Sequence, residues 1–186
     1  MTEQMPRAIE QLQLDHRNMR RLLELLRKEL DAYRSGQTLD FDLLNSVMDY
    51  TLNYPDLCHH PKENLIYERM VARNPAARSS VSDLLREHAQ LGELTRKLAA
   101  ALKNVSRDSE IPREWFEGII ERYLTANHRH IAAEEETFFP QAVLTLKQKD
   151  WDEIDASVAA TEDPLFGGKV AKDYRALYER IMRSLV

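Results

Sequence analysis

Two sets of metal-binding residue types recur in this chain at matched spacing: His16, His59 and Glu63, then His88, His130 and Glu134. His16 and His59 stand 43 residues apart, His88 and His130 stand 42 apart, and the two His-x-x-x-Glu pairs share an offset of 71 residues. Imidazole nitrogen and carboxylate oxygen hold divalent iron or manganese well, and a carboxylate has a second oxygen with which to bridge two cations. Six such groups in one layer suit a pair of irons, with manganese as a substitute. Structural zinc fits less well because it favours a closed tetrahedral cage rich in cysteine, and Cys58 is the single cysteine. A lone buried histidine beside a glutamate reads as a hydrogen-bonded core pair. Two symmetric copies favour metal, since two buried, unpaired carboxylates would otherwise be costly.

The apolar residues around each set predict the elements that must carry it. Ile9, Leu12, His16, Met19, Leu23, Leu26, Leu30 and Tyr33 alternate by three and four, as do Val81, Leu84, His88, Leu91, Thr95, Leu98, Leu102 and Val105. Each run is the buried stripe of a helix, with its histidine at a core position. The partner segments match as well: Leu44, Met48, Leu52, His59, Glu63 and Tyr67 align with Trp115, Ile119, Tyr123, His130, Glu134 and Phe138. Histidine and glutamate thus fall one turn apart on one helix face in both. The chain reads as two copies of one helical hairpin.

A first helix is expected from near Pro6 to Tyr33, stopped by Ser35-Gly36, and a second from the N-cap Asp40 to about Ala72, ended by Asn74 and Pro75. A third should start after Ser79 or Ser80 and last to Asn104, with a polar connection over Val105–Ile111; a fourth opens at Pro112 and runs to about Lys147. With turns near residues 37 and 108, both histidines of each hairpin lie about 20 residues from their turn, roughly 30 Å along the helices. All six groups therefore reach one level of an all-α, up-down-up-down antiparallel four-helix bundle. That bundle is assigned to residues 1–148. A C-terminal helical extension, 149–186, carries a breaker stretch from Thr161 to Gly168 and helical spacing at Tyr174, Leu177, Ile181 and Leu185. It is expected to pack on the bundle, with a homodimer contact as the other use of it.

Composition bounds the function. The 186 residues are 43% hydrophobic and 31% charged with a net charge of −5, enough for one domain with a core. Opposite charges interleave, as from Arg17 to Glu29, so no basic footprint for nucleic acid exists. No run approaches a membrane span and no secretion signal opens the chain, so a cytoplasmic protein is expected.

The segments DHRNMRRLLELL, HHPKENLIYERM, REHAQLGELTRKL and HRHIAAEEETFFP together resemble the hemerythrin-like, or HHE cation-binding, domain, over residues 6 to 147. The resemblance implies a non-haem di-iron centre with an oxo or hydroxo bridge. By it, His16 and His59 bind one iron, His88 and His130 the other, and Glu63 and Glu134 bridge them. Ferritin-like bundles instead use Glu-x-x-His with further glutamates. The chain departs from the family's respiratory oxygen carriers at Gly92, where they have a second histidine, which leaves one iron short of a nitrogen ligand. Pro55 and Pro61 should disturb the second helix beside the site, and His60 is an extra ligand candidate if the helix turns it inward.

Other residues are read more plainly. His128 points to another face, Glu135 and Glu136 form a solvated face, Tyr54, Tyr67 and Tyr123 are core aromatics that also suit ligand hydrogen bonds or electron transfer, and Cys58 is a buried inert thiol. The expected function is binding of, or reaction with, oxygen, nitric oxide or peroxide in sensing, storage or stress protection. The alternatives are a di-iron redox enzyme or iron donor for repair of damaged iron centres, and a metal-free helical interaction module.

Overall fold

A computed structural model describes residues 5–105, 112–157 and 163–184 and, among them, contains helices and no strand. Helix α1 spans Arg7–Arg34; Ser35 caps it and Gly36, at φ 90°, takes the left-handed turn that follows. The Asp40 side chain accepts a bond from the Leu43 amide and starts α2, Phe41–Tyr54. A π-turn over Pro55–His59 leads into α3, His60–Arg73, which Asn74 ends. Helix α4 is Arg78–Val105 and α5 is Arg113–Ala133; a second π-turn, Glu134–Phe138, joins α5 to α6, Phe139–Thr145. Helices α7, Gln148–Ser157, and α8, Arg175–Ser184, complete the described chain. None of these helices is long and apolar enough to cross a membrane.

Both π-turns have the same cause. Each ends two residues before a proline, Pro61 or Pro140, which has no amide hydrogen for the carbonyl four residues back and whose ring crowds it. One wider turn absorbs the misfit without breaking the helical rod, so α1, α2 with α3, α4, and α5 with α6 are four successive rods. The sequence led us to expect a disturbance in the second rod; that in the fourth, caused by Pro140, was not foreseen. The fourth rod also stops earlier than expected, at Thr145, because Leu146 is extended.

The core is in two parts. Leu22, Leu26, Leu44, Met48, Leu98, Leu102, Phe116, Ile120 and Tyr123 belong to one apolar cluster, and Ile9, Leu12, Ile66, Met70, Leu84, Phe138, Phe139 and Ala142 to the other. Helix α1 packs on α5, α2 on α4, α4 on α5, and α3 on α6. Each of the four rods passes from one cluster to the other, in alternating order along the chain. The crossing lies near His16, His59, His88 and His130.

Trp151 and Ile154 of α7 enter the second cluster, whereas Leu165, Leu177 and Ile181 enter the first. Leu185, Thr161 and most of the expected connection, 106–111, lie outside the described residues. One core assignment is corrected: Trp115 is 50% exposed, and its neighbour Phe116, at 1%, is buried instead. The offset of 71 brings Trp115 into register with buried Leu44, but the first turn of α5 presents the next residue inward. Phe116→Ala should therefore cost about 3–5 kcal/mol by urea unfolding, and Trp115→Ala at most about 0.5 kcal/mol.

Candidate metal centre

The six repeated side chains converge where the rods cross between clusters. His16 lies in mid-α1, His59 ends the first π-turn, Glu63 is in the first turn of α3, His88 is in α4, His130 closes α5 and Glu134 opens the second π-turn. His16 Nε2 lies 3.0 Å from Glu134 Oε2, while His88 Nε2 and His130 Nε2 lie 3.3 and 3.1 Å from Oε1 of the same carboxylate. Glu63 is divided likewise, with Oε1 3.2 Å from His59 Nε2 and Oε2 3.3 Å from His88 Nε2. Each carboxylate thus turns one oxygen to the His16 and His59 side and the other to the side of His88.

Three sets of potential ligand atoms lie within 4.8 Å of one another: His16, His59, Glu63 and Glu134; His88, His130 and Glu134; and His60, Glu63 and His88. His60 is half-buried, and its ring lies 4.1 Å from that of His88, centroid to centroid. The second rod therefore brings His60 to the edge of the cluster.

The donor set fits a cation. Both oxygens of Glu63, Oε2 of Glu134 and Nε2 of His16 are buried without a hydrogen-bond partner. A buried carboxylate without donors is expensive, and here carboxylate oxygens and imidazole nitrogens are brought within 3.0–3.3 Å with four of their atoms left unpartnered. A positive ion among them removes that cost.

The surrounding charge agrees. Burial opposes the Glu134 anion, yet the imidazoles of His130, His16 and His88 hold its pKa well below the ordinary range. Burial also disfavours a charged His59, but the Glu63 carboxylate and the bond to Asp15 push it up to about 10. Asp15 is buried too, which raises its pKa, but His59 and Lys62 outweigh this and hold it down to about 2.

These shifts fix a pH profile for chelator-treated protein. His59, raised in the fold, contributes stability present below its unfolded value of about 6.5 and lost as pH climbs toward 10. Asp15, depressed in the fold, contributes stability present above its ordinary value of 3.8 and lost as pH falls toward 2. The melting temperature should be highest between these ordinary values and decline on both sides. A melting curve rising steadily from pH 6.5 to 9 would contradict this.

Three histidines are aimed by carboxylates on their other nitrogen. His59 Nδ1 lies 3.3 Å from Asp15, which also accepts from Lys62 at 3.0 Å and Gln11 at 2.9 Å. His130 Nδ1 lies 3.2 Å from Glu87. His16 Nδ1 lies 3.0 Å from Glu135, itself clamped by Arg20 at 3.0 and 2.6 Å. A proton held on Nδ1 leaves Nε2 as the free lone pair facing the centre.

Asp15 and Glu87 are not among the residues expected from the sequence, although their positions carry a signal. Each directly precedes the histidine of its own hairpin, at the same repeat offset of 72, and each orients the histidine of the following rod. Glu135 is a correction: expected on a solvated face, its side chain is 27% exposed and pairs with His16 and Arg20. Glu136 and His128 are exposed, and Cys58 is a buried free thiol whose pKa burial raises.

The repeat breaks where the clamp on His16 has no second copy. The counterparts of Arg20 and Glu135 are Gly92 and Asn64, and Asn64 is exposed. Gly92 instead lines a cavity of about 80 Å³, together with Leu91, Thr95, Arg96, Tyr123 and His130. A Cβ at position 92 would stand 3.4 Å from the tip of the Arg96 side chain, an ordinary contact. Burial pushes the pKa of Tyr123 up and keeps its hydroxyl protonated beside Thr51, Thr95 and Asn127. The space is mostly apolar, with a polar wall.

Comparison with known proteins agrees with this geometry. The family described as Hemerythrin HHE cation binding domain matches residues 7–142. No curated protein and no solved structure matches the chain.

Proposed function

The chain belongs to the hemerythrin HHE cation-binding family, and from that premise we propose that it holds two non-haem irons, with manganese as a substitute, to bind or react with a small oxidant or diatomic ligand. The observation that carries this is the division of Glu63 and Glu134, each offering one oxygen to either side of the layer. His16 and His59 would hold one ion and His88 and His130 the other, with His60 beside His88. The alternating passage of the four rods through two apolar clusters supports an up-down-up-down bundle over residues 1–148. In this reading residues 149–186 form its extension.

When bound, such a pair supplies Lewis acidity and exchangeable electrons. The protein's own residues decide what reaches it. Gly92 lines the room beside His130, and Leu91 and Ile131 make that room apolar, which suits oxygen, nitric oxide or peroxide rather than a larger substrate. Asp15, Glu87 and Glu135 keep the imidazoles in one tautomer. Cys58, a buried thiol, suits the reducing cytoplasm, where we place the protein.

Metal analysis and a near-ultraviolet spectrum of protein purified aerobically from iron-replete cells test this reading. Two irons per chain and the bands of an oxo-bridged ferric pair are expected; protein without iron or manganese would overturn it. Mixing the reduced protein with oxygen, peroxide and nitric oxide then separates the roles. A stable adduct identifies a binding protein, and repeated turnover identifies an enzyme.

A further inference from the structure

Three tyrosines form an unbroken stack from the centre's cavity to the surface. Tyr54 lines the cavity. Its ring stacks on Tyr50 with centroids 5.0 Å apart and planes 13° from parallel, and Tyr50 meets Tyr174 edge-on at 5.7 Å. Tyr50 and Tyr54 are buried, whereas Tyr174 is half-buried and its hydroxyl bond lies at the exposed end.

Tyr50 and Tyr174 each face a carboxylate. Tyr50 donates to Asp163 at 3.0 Å and Tyr174 to Asp49 at 2.8 Å. Asp163 is itself fixed, accepting from the Leu165 and Phe166 amides at 2.8 and 3.0 Å. Simple filling of the core would need neither the hydroxyls nor the two aspartates that accept from them, since phenylalanine packs as well without a polar atom to satisfy. Asp163 and Tyr174 also lie beyond residues 7–142, so the C-terminal segment supplies the outer half of the stack.

We propose that Tyr54, Tyr50 and Tyr174 form a path that carries single electrons from the protein surface to the metal centre. The proposal rests on the metal-pair reading above. Tyr50 gives one electron, through the stacked Tyr54 ring, to a centre left oxidised by peroxide, and its phenolic proton passes to Asp163. Tyr174 then gives an electron to Tyr50, which regains its proton from Asp163, while the Tyr174 proton passes to Asp49. A soluble one-electron reductant at the surface restores Tyr174, and that proton returns. One electron has entered, and every phenol and carboxylate is as it began. Burial and the adjacent carboxylates raise the pKa of Tyr50 and Tyr174, so each phenol holds its proton until its electron leaves.

The test uses the full chain loaded with ferrous iron, its metal content measured first, then treated with hydrogen peroxide and a nitroso spin trap. Rapid-freeze electron paramagnetic resonance reads the tyrosyl radical, and mass spectrometry reads the trapped adduct on Tyr174. In Tyr50→Phe, with iron content unchanged, the Tyr174 adduct should fall about tenfold, as a barrier higher by about 1.4 kcal/mol requires. Asp163→Asn keeps the ring and an acceptor oxygen but removes the base, and should also lower the yield. It decides the matter if Tyr50→Phe does not fold. Tyr178→Phe, outside the stack, should leave the yield unchanged. Iron-loaded protein that forms no tyrosyl radical, or labels Tyr174 equally with and without Tyr50, overturns the path alone. A chain that takes up no iron overturns both the path and the centre.

Discussion

Replacing Glu63 and Glu134 together by glutamine is expected to reduce the metal content from two ions per chain to none. Glutamine keeps the size of the side chain, so the two apolar clusters on either side of the layer should stay packed. What is lost is the pair of anions that each face both sets of histidines. Because each carboxylate serves both sides, either single substitution should weaken both sites together rather than empty one. Loaded wild-type protein should gain about 4 kcal/mol when free metal stands a thousandfold above its dissociation constant. The double variant should gain nothing. Calorimetric melting with and without ferrous iron reads the difference, and an equal gain in both proteins would show that the metal binds elsewhere.

The second large effect is expected from residues that touch no metal. Asp15→Asn and Glu87→Gln should each lower metal affinity by about 10–100-fold, because His59 and His130 lose the charge that fixes their Nδ1 proton. Glu136→Gln, on the exposed side chain next to Glu135, serves as the control and should bind metal like the wild type. Asp15 also holds the buried Lys62 ammonium at 3.0 Å, so metal titration should be accompanied by a check that Asp15→Asn keeps its helical circular dichroism. Affinity unchanged in both variants would mean that the histidines are aimed by their packing alone.

Much of this arrangement is legible from periodicity. A three-four stripe places His16 and His88 on buried faces, and the i, i+4 pairs place Glu63 and Glu134 beside His59 and His130, so the six meet in one layer. What escaped the reading depends on contacts between rods. Asp15 and Glu87 look like ordinary helix-surface charges until the neighbouring rod brings a histidine to them. Glu135 sits in a run of three glutamates, a pattern that usually faces solvent, and only the approach of Arg20 and His16 distinguishes it. The repeat offset puts Trp115 in register with Leu44, but in the first turn of α5 it is Phe116 that turns inward. The π-turn before Pro140 follows from the same chemistry as that before Pro61, yet proline near the end of a helix is also compatible with a plain stop. The departure from the family's oxygen carriers at Gly92 is legible in the sequence; that Gly92 and Arg96 line one cavity is not.

Anomalous diffraction at the iron edge from crystals of the iron-loaded protein tests the central claim most directly. The account predicts two peaks about 3.5–4 Å apart, both lying between the Glu63 and Glu134 carboxylates, with the imidazoles of His16 and His59 on one and of His88 and His130 on the other. A single peak, or peaks only among exposed acidic side chains, would contradict it.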